Sequence, residues 1–105
     1  MRQIIESPAA FSDLIEIADY LTDNADAETV HQVLYAIRQS FTLLTEMPGV
    51  GALRAYASPE LQALRMWAVP KFPNYLIFYD TDEQTVIIRR ILHGARNIEI
   101  LLSQP

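Results

Sequence analysis

The stretch "LRMWAVPKFPNYLIFYDTDEQTVIIRRILHGARNIEILL", residues 64–102, contains the strongest strand signals of the chain. Three of its segments are rich in β-branched and aromatic residues, which is typical of strands. They are residues 64–69, 75–79 and 85–93. The connectors "PKFPN" and "DTDEQ" have the length and the turn-forming residues of hairpin loops. We therefore predict three consecutive strands in a mainly antiparallel sheet.

The N-terminal part predicts a strand and then a helix. Residues 2–6, "RQIIE", are typical of a short first strand. Ser7 is suited to cap a helix that begins at Pro8, because proline fits the first helical position. Apolar residues then recur at helical spacing, which predicts the stripe of an amphipathic helix. That stripe is Phe11, Leu14, Ile15, Ala18 and Leu21.

A second helix is expected to begin after Asp26 and to end at "MPGVG", residues 47–51, because Pro48 cannot continue a helix. The short connection between the helices predicts an antiparallel hairpin. A short last helix is expected to carry Ile98, Leu101 and Leu102 on its apolar side. The order β-α-α-β-β-β-α predicts an α+β fold, with the helix hairpin packed on the sheet.

Composition narrows the class of protein. The chain has 105 residues, half of them hydrophobic, which fits one folded domain over residues 1–105. It has no cysteine, and we expect neither a disulfide nor a metal site or cofactor. The sequence shows neither a signal peptide nor an apolar run approaching ~18 residues, so we expect a soluble cytoplasmic protein without a membrane partner.

Charge is unevenly distributed along the chain. Residues 1–46 hold eight acidic and two basic side chains, whereas residues 47–105 hold five acidic and six basic ones. The net charge of −5 would not steer the chain toward nucleic acid. The local basic surface is nevertheless able to bind an anion, or it is simply a solvated face.

Alternation along the strands predicts two different sheet faces. One is apolar and is expected to face the helices: Leu64, Met66, Ala68, Leu76, Phe78, Val86, Ile88 and Leu92. The other mixes aromatic and basic groups: Arg65, Trp67, Tyr75, Tyr79, Arg89 and His93. Arg90 interrupts the apolar face, and we expect it at the sheet edge with its charged end in solvent. Arg96 falls in the first turn of the last helix, where the helix dipole disfavours a cation, which indicates an acidic or ligand partner.

The strand-rich half is similar to that of ParE toxins in the RelE/ParE superfamily. The matching residues are Leu64-Arg65, "NYLIFY" (74–79) and "ILHGARN" (91–97), and "MPGVG" also agrees. The resemblance implies the toxin of a type II toxin–antitoxin pair. It implies a cognate ParD-like antitoxin with a ribbon-helix-helix fold, DNA gyrase as the target, and contact with nucleic acid only through the toxin–antitoxin complex.

Two sets of site residues follow from this resemblance and from the apolar surface that the predicted fold leaves uncovered. The target-binding set is Arg65, Arg89, His93 and Arg96. The antitoxin-binding set is Phe11, Leu14, Trp67, Ile87 and Ile91. We expect no catalytic residue if the chain acts by protein contact on gyrase.

Two alternatives stay open. RelE-like relatives cleave mRNA on the ribosome, and here His93 would be the general acid or base while Arg65 and Arg89 stabilise the phosphate. A third class is an inactive member that only binds antitoxin. Asp80 and Asn97 stand where such toxins often have a basic residue and an aspartate. The acidic total charge favours gyrase over ribosomal RNA.

Overall fold

Two helices cover one face of a five-stranded mixed sheet. The structure, a computed structural model, describes residues 2–53, 61, 63–94 and 101–102. The elements in chain order are β1 (Gln3–Glu6), α1 (Pro8–Asn24), α2 (Ala27–Glu46), β2 (Ala52–Leu53), β3 (Arg65–Val69), β4 (Phe72–Thr81) and β5 (Thr85–His93). The strands lie in the order β1-β5-β4-β3-β2, and β1 runs parallel to β5 while the other pairs are antiparallel. The predicted α+β class is confirmed, and the element order is broadly as predicted: β2 is additional, and the last helix falls mostly outside the described residues.

The helix starts are confirmed in atomic detail. The Ser7 hydroxyl accepts a hydrogen bond from the Ala10 amide at 3.1 Å and donates one to the Arg89 carbonyl at 2.8 Å. Asp26 accepts from the Thr29 amide at 2.7 Å. Each cap satisfies an amide that the first helical turn leaves without a partner. The Ser7 cap also ties the start of α1 to β5.

Two strand boundaries differ from expectation. The connector predicted at "PKFPN" is only the two-residue turn Pro70-Lys71, and β4 resumes at Phe72. Pro73 is tolerated inside β4 because the pairing register shifts there, from Ala68 opposite Leu76 to Val69 opposite Phe72. The short strand β2 was not predicted, since two residues carry too little periodicity.

The predicted sheet faces are wrong for β3 and β4. Trp67, Ile77 and Tyr79 pack toward the helices, whereas Phe78 is buried outside that cluster. Large apolar residues occupy both parities of β4, so alternation alone could not select the inner face. The main core consists of Ala10, Leu21, Val33, Ile37, Phe41, Leu44, Val69, Ile77, Tyr79, Val86, Ile88 and Ile91.

A bulge in β5 explains why the predicted alternation fails there too. Phe78 lies opposite Arg90 and Tyr79 opposite Ile88, so Arg89 is an extra residue on β5. The bulge exchanges the two faces of the strand at this point. As a result Ile88 and Ile91 both face the helices, while Leu92 is buried on the other side.

The apolar stripe of α1 is rotated from the predicted one. Ala10 and Leu21 are buried, and Leu14 and Ile17 pack against the core. Phe11 and Ile15 were expected in the buried stripe, but their exposed fractions are 56% and 48%. The rotation brings Asp13 inside, where it is 5% exposed. A specific polar contact of Asp13 replaces the apolar contact that periodicity predicted.

The predicted last helix falls mostly on residues 95–100 and 103–105, outside the described residues. Of its three apolar residues, Leu101 and Leu102 are described and half-buried, whereas Ile98 is not described. Neither α1 nor α2, the helices of the described ranges, has the length and apolarity that a membrane crossing requires.

Candidate functional site

A hydrogen-bonded clamp fixes the loop between α2 and β2. The Tyr79 hydroxyl donates to the Pro48 carbonyl and accepts from the Gly51 amide, both at 2.8 Å. The Arg65 guanidinium donates to the carbonyls of Gly51 at 2.8 Å and Gly49 at 3.3 Å. Burial raises the pKa of Tyr79, so the phenol stays neutral and keeps its proton for Pro48. The clamp holds "MPGVG" in one conformation.

Residue 51 must be a glycine because neighbouring atoms leave no room for a Cβ atom there. A Cβ atom at Gly51 would lie 2.6 Å from the Tyr79 hydroxyl and 3.0 Å from the Met66 carbonyl. At Gly49, two residues away, a Cβ atom would meet nothing within 4 Å. The loop therefore needs glycine at only one of these two positions for steric reasons.

Arg90 was predicted to reach into solvent, and this prediction is wrong. Its guanidinium forms two hydrogen bonds with the Asp13 carboxylate, at 2.8 and 2.9 Å, and donates to the Leu101 carbonyl at 3.0 Å. The hydrogen bonds that Arg90 donates to the Asp13 carboxylate raise the pKa of Arg90. Asp13 also accepts from the Ile91 amide at 2.9 Å. Since β1 pairs with β5 only as far as Ile88, Asp13 satisfies an edge amide that lies beyond the end of β1.

Arg89 is the bulged residue of β5, and it lines the same groove as Arg90 and Asp80. It pairs with Asp80 at 3.0 Å, and the exposed fractions of the two side chains are 47% and 28%. An exposed pair of this kind holds its partners weakly. Arg89 therefore presents an accessible cation beside a carboxylate that partly offsets its charge.

His93 ends β5 and is exposed. Its ring meets that of Tyr75 edge to face, with the ring centres 5.6 Å apart. His93, Tyr75 and Tyr20 line one end of a groove of about 420 Å³ between α1 and the ends of β4 and β5. The sequence placed Tyr75 and His93 on one face, and the structure brings them together.

The three residues of the nuclease alternative are not brought together. Arg65 lies opposite Tyr79 and His93 lies opposite Tyr75, so two strand spacings and four residues separate their backbones. With strands about 4.8 Å apart and a rise of about 3.3 Å per residue, that is roughly 16 Å. Arg89 is four residues from His93 on the same strand, roughly 13 Å. In this structure the Arg65 guanidinium is hydrogen-bonded to the loop and that of Arg89 to Asp80, so neither is shown beside His93.

The expected antitoxin-binding residues fall into two groups. Phe11 is exposed, and Ile87 is half-buried on the outer face beside Ile5 of β1. The others belong to the interior: Ile91 is 1% exposed, and Leu14 and Trp67 pack against the core. The Trp67 indole donates to the Ser40 hydroxyl at 3.2 Å, which joins β3 to α2. Arg96, the last of the expected target-binding residues, lies outside the described residues.

Sequence reasoning missed Asp13 and the loop clamp. Asp13 and Arg90 each interrupt an apolar pattern, and two such charges of opposite sign were a signal that they pair. The clamp had no comparable signal, because it depends on which face of β4 turns inward. Within the described ranges, no three His, Cys, Asp or Glu side chains come together as metal ligands would.

Comparisons with known proteins agree with this fold. The family described as "ParE toxin of type II toxin-antitoxin system, parDE" matches residues 4–98. The chain is also similar to a solved structure from the "Chromosomal ParDE TA system from P. aeruginosa". That match has a TM-score of 0.71 and 18% identity, and it covers 89% of this chain and 96% of the other. The search of curated proteins finds no match. Because the family match spans nearly the whole sequence, this chain belongs to the ParE toxins of type II toxin–antitoxin systems.

Proposed function

We propose that this toxin inhibits DNA gyrase in the cytoplasm by protein contact and that a cognate ParD-like, ribbon-helix-helix antitoxin neutralises it. The observation that carries the proposal is the separation of His93, Arg65 and Arg89 along the sheet. Cutting RNA needs a proton-transfer group and a cation at the same phosphate. Protein contact tolerates a dispersed set, because each side chain meets its own part of a broad surface.

The target-binding residues have different roles in this proposal. Arg89 and His93 are exposed and available to touch the target directly, and Arg96 is assigned the same role. Arg65 acts as a positioning residue, since its guanidinium holds the loop carbonyls. The loop and its flanks expose three large apolar side chains, Met47, Val50 and Leu53. A fixed loop with exposed apolar residues is suited to binding a protein.

The antitoxin contact is proposed on α1. Phe11 and Ile15 are one turn apart on the same side of the helix, and about half of each side chain is exposed. An apolar arm laid along α1 would cover both. The similar structure belongs to a chromosomal ParDE toxin–antitoxin system of P. aeruginosa, which supports a partner of this class.

Expression in bacteria tests the target. Gyrase inhibition that traps broken DNA would yield linearised reporter plasmid with covalently attached gyrase, while translated mRNA stays intact. We expect His93→Ala to weaken this inhibition without producing mRNA cuts, because it removes one of several contacts, and Arg96→Ala to abolish it. Arg38→Ala, at an exposed arginine on α2, is the matched control and should keep full activity. Codon-phased mRNA cuts that disappear with His93→Ala would instead identify a ribosome-dependent nuclease.

A further inference from the structure

The groove beside His93 has the chemistry of a cation-binding site. It measures about 420 Å³, and its lining includes the apolar side chains of Ile17 and Ile91. Tyr75 and His93 form one wall from the sheet, and Tyr20 faces them from α1. No part of the proposed gyrase contact uses the α1 side of this groove.

Two aromatic rings contact each other on the sheet wall of the groove. The rings of Tyr75 and His93 meet at 87° with their centres 5.6 Å apart. Burial raises the pKa of Tyr75, and the Tyr20 phenol raises it further. Tyr20 is 63% exposed, so its ring face is available to a partner. Neutral phenol rings attract a cation through their faces.

Charge in the groove is negative. Asp13 is already paired with Arg90, which raises the pKa of the guanidinium. Glu16, one turn further along α1, is close enough to Arg90 to raise this pKa further, but it forms no direct ion pair with a residue of the described ranges. Helix α1 contains four acidic residues and no basic one. The groove thus offers one carboxylate beside several aromatic rings, in a negative field.

We propose that this groove binds an arginine side chain of a partner polypeptide. Arginine fits better than lysine, because its planar guanidinium stacks on rings, pairs with a carboxylate and is more weakly hydrated. Resting on the proposed function, the inference assigns this arginine to the antitoxin arm, which α1 would receive beside Phe11 and Ile15. A toxin with an acidic first helix then requires a basic residue in its antitoxin.

A small probe tests the groove without the antitoxin. The intact chain is titrated with N-acetyl-arginine methylamide and, separately, with the neutral isostere N-acetyl-citrulline methylamide, and amide chemical shifts are followed by NMR. We expect saturable shifts centred on Tyr20, Tyr75 and His93 with the arginine probe, and about tenfold weaker binding of citrulline. Because the probe needs no antitoxin, failure here is distinguishable from failure of the proposed neutralisation.

Variants on the surface of α1 sharpen the test. Glu16→Gln and Tyr20→Leu should each weaken arginine binding several-fold. Asp23→Asn, on the same helix but outside the groove, should not. All three side chains are exposed, so the fold is retained. Equal binding of arginine and citrulline would overturn the inference. Equal losses of arginine binding in Glu16→Gln and Asp23→Asn would also overturn the inference, because they would mean a diffuse attraction to an acidic helix.

Discussion

The clamp around Gly51 shows how one residue without a side chain sets a loop. Tyr79 and Arg65 stand opposite each other on neighbouring strands, and both reach the same backbone turn. The Tyr79 hydroxyl fills the space that a Cβ atom at Gly51 would need. The sequence showed a turn at "MPGVG", but it could not show which glycine is required. That depends on contact with a residue 28 positions away.

Alanine at the two glycines gives a matched pair of variants. Gly51→Ala should destabilise the fold by about 2 kcal/mol, because the new methyl group meets a buried hydroxyl and a backbone carbonyl. Gly49→Ala should be neutral or stabilise by up to about 1 kcal/mol, since it restricts the unfolded chain and meets no neighbour. Urea unfolding of both variants measures the difference. Equal stability would show that the loop is not held against Tyr79.

Helix α1 is joined to the sheet by a polar contact as well as by its apolar stripe. Asp13 binds both the guanidinium of Arg90 and the amide of Ile91 at the edge of β5. Asp13 is almost fully buried and Arg90 is mostly buried, so neither group is well solvated if the other is removed. This contact fixes the rotation of α1, and it thereby places Phe11 and Ile15 outside.

Removing Asp13 should therefore lower the free energy of unfolding far more than breaking the exposed pair of Arg89 and Asp80. We expect Asp13→Ala to lower the free energy of unfolding by about 3 kcal/mol, because it leaves a poorly solvated cation and an unpaired amide. Arg89→Ala, which breaks the exposed pair with Asp80, should change it by less than about 1 kcal/mol. The double variant Asp13→Leu/Arg90→Met should recover part of the loss. Similar losses for the two single variants, measured in urea, would contradict this account of α1.

The antitoxin is predicted to contact the exposed side of α1. Phe11→Asp and Ile15→Asp should each abolish neutralisation while leaving toxicity and thermal stability nearly unchanged, because both side chains already face solvent. Tyr35→Asp is the control, at a comparably exposed aromatic residue on α2. Co-expression with the antitoxin, read as growth, measures the effect. Full rescue of both α1 variants would move the contact to another surface.

Elements were easier to predict than their orientation. Strand β5 was predicted with the observed bounds, Thr85–His93, and both helix caps were recognised, because each depends on local sequence. The inner face of the sheet was not predictable, since a single bulged residue, Arg89, reverses the alternation of β5. Of the site residues, His93 and Tyr75 were placed together correctly. Arg65 and Arg90 were expected in other contacts, because their partners are a loop carbonyl and a helix carboxylate distant in sequence.

At the scale of the whole molecule, three arginines in the described part of the sheet each have a partner of their own. Arg65 is held by the loop, Arg90 by Asp13 and Arg89 by Asp80. Arg89 and Arg90 line one groove with Asp80, whereas Arg65 lies two strands away, so the three cations do not form a single cleft in the described part of the chain. A net charge of −5 and a dispersed set of cations both oppose docking on RNA, which needs several phosphate contacts at once. They are compatible with a protein target.

The most direct test of gyrase inhibition is a purified supercoiling assay with antitoxin titration. The toxin alone should block the supercoiling of relaxed plasmid by gyrase, and antitoxin should restore activity at its binding stoichiometry. A parallel reaction with translating ribosomes should leave mRNA intact. Unchanged supercoiling, together with ribosome-dependent mRNA cuts that His93→Ala abolishes, would contradict the proposal and make His93 a catalytic residue.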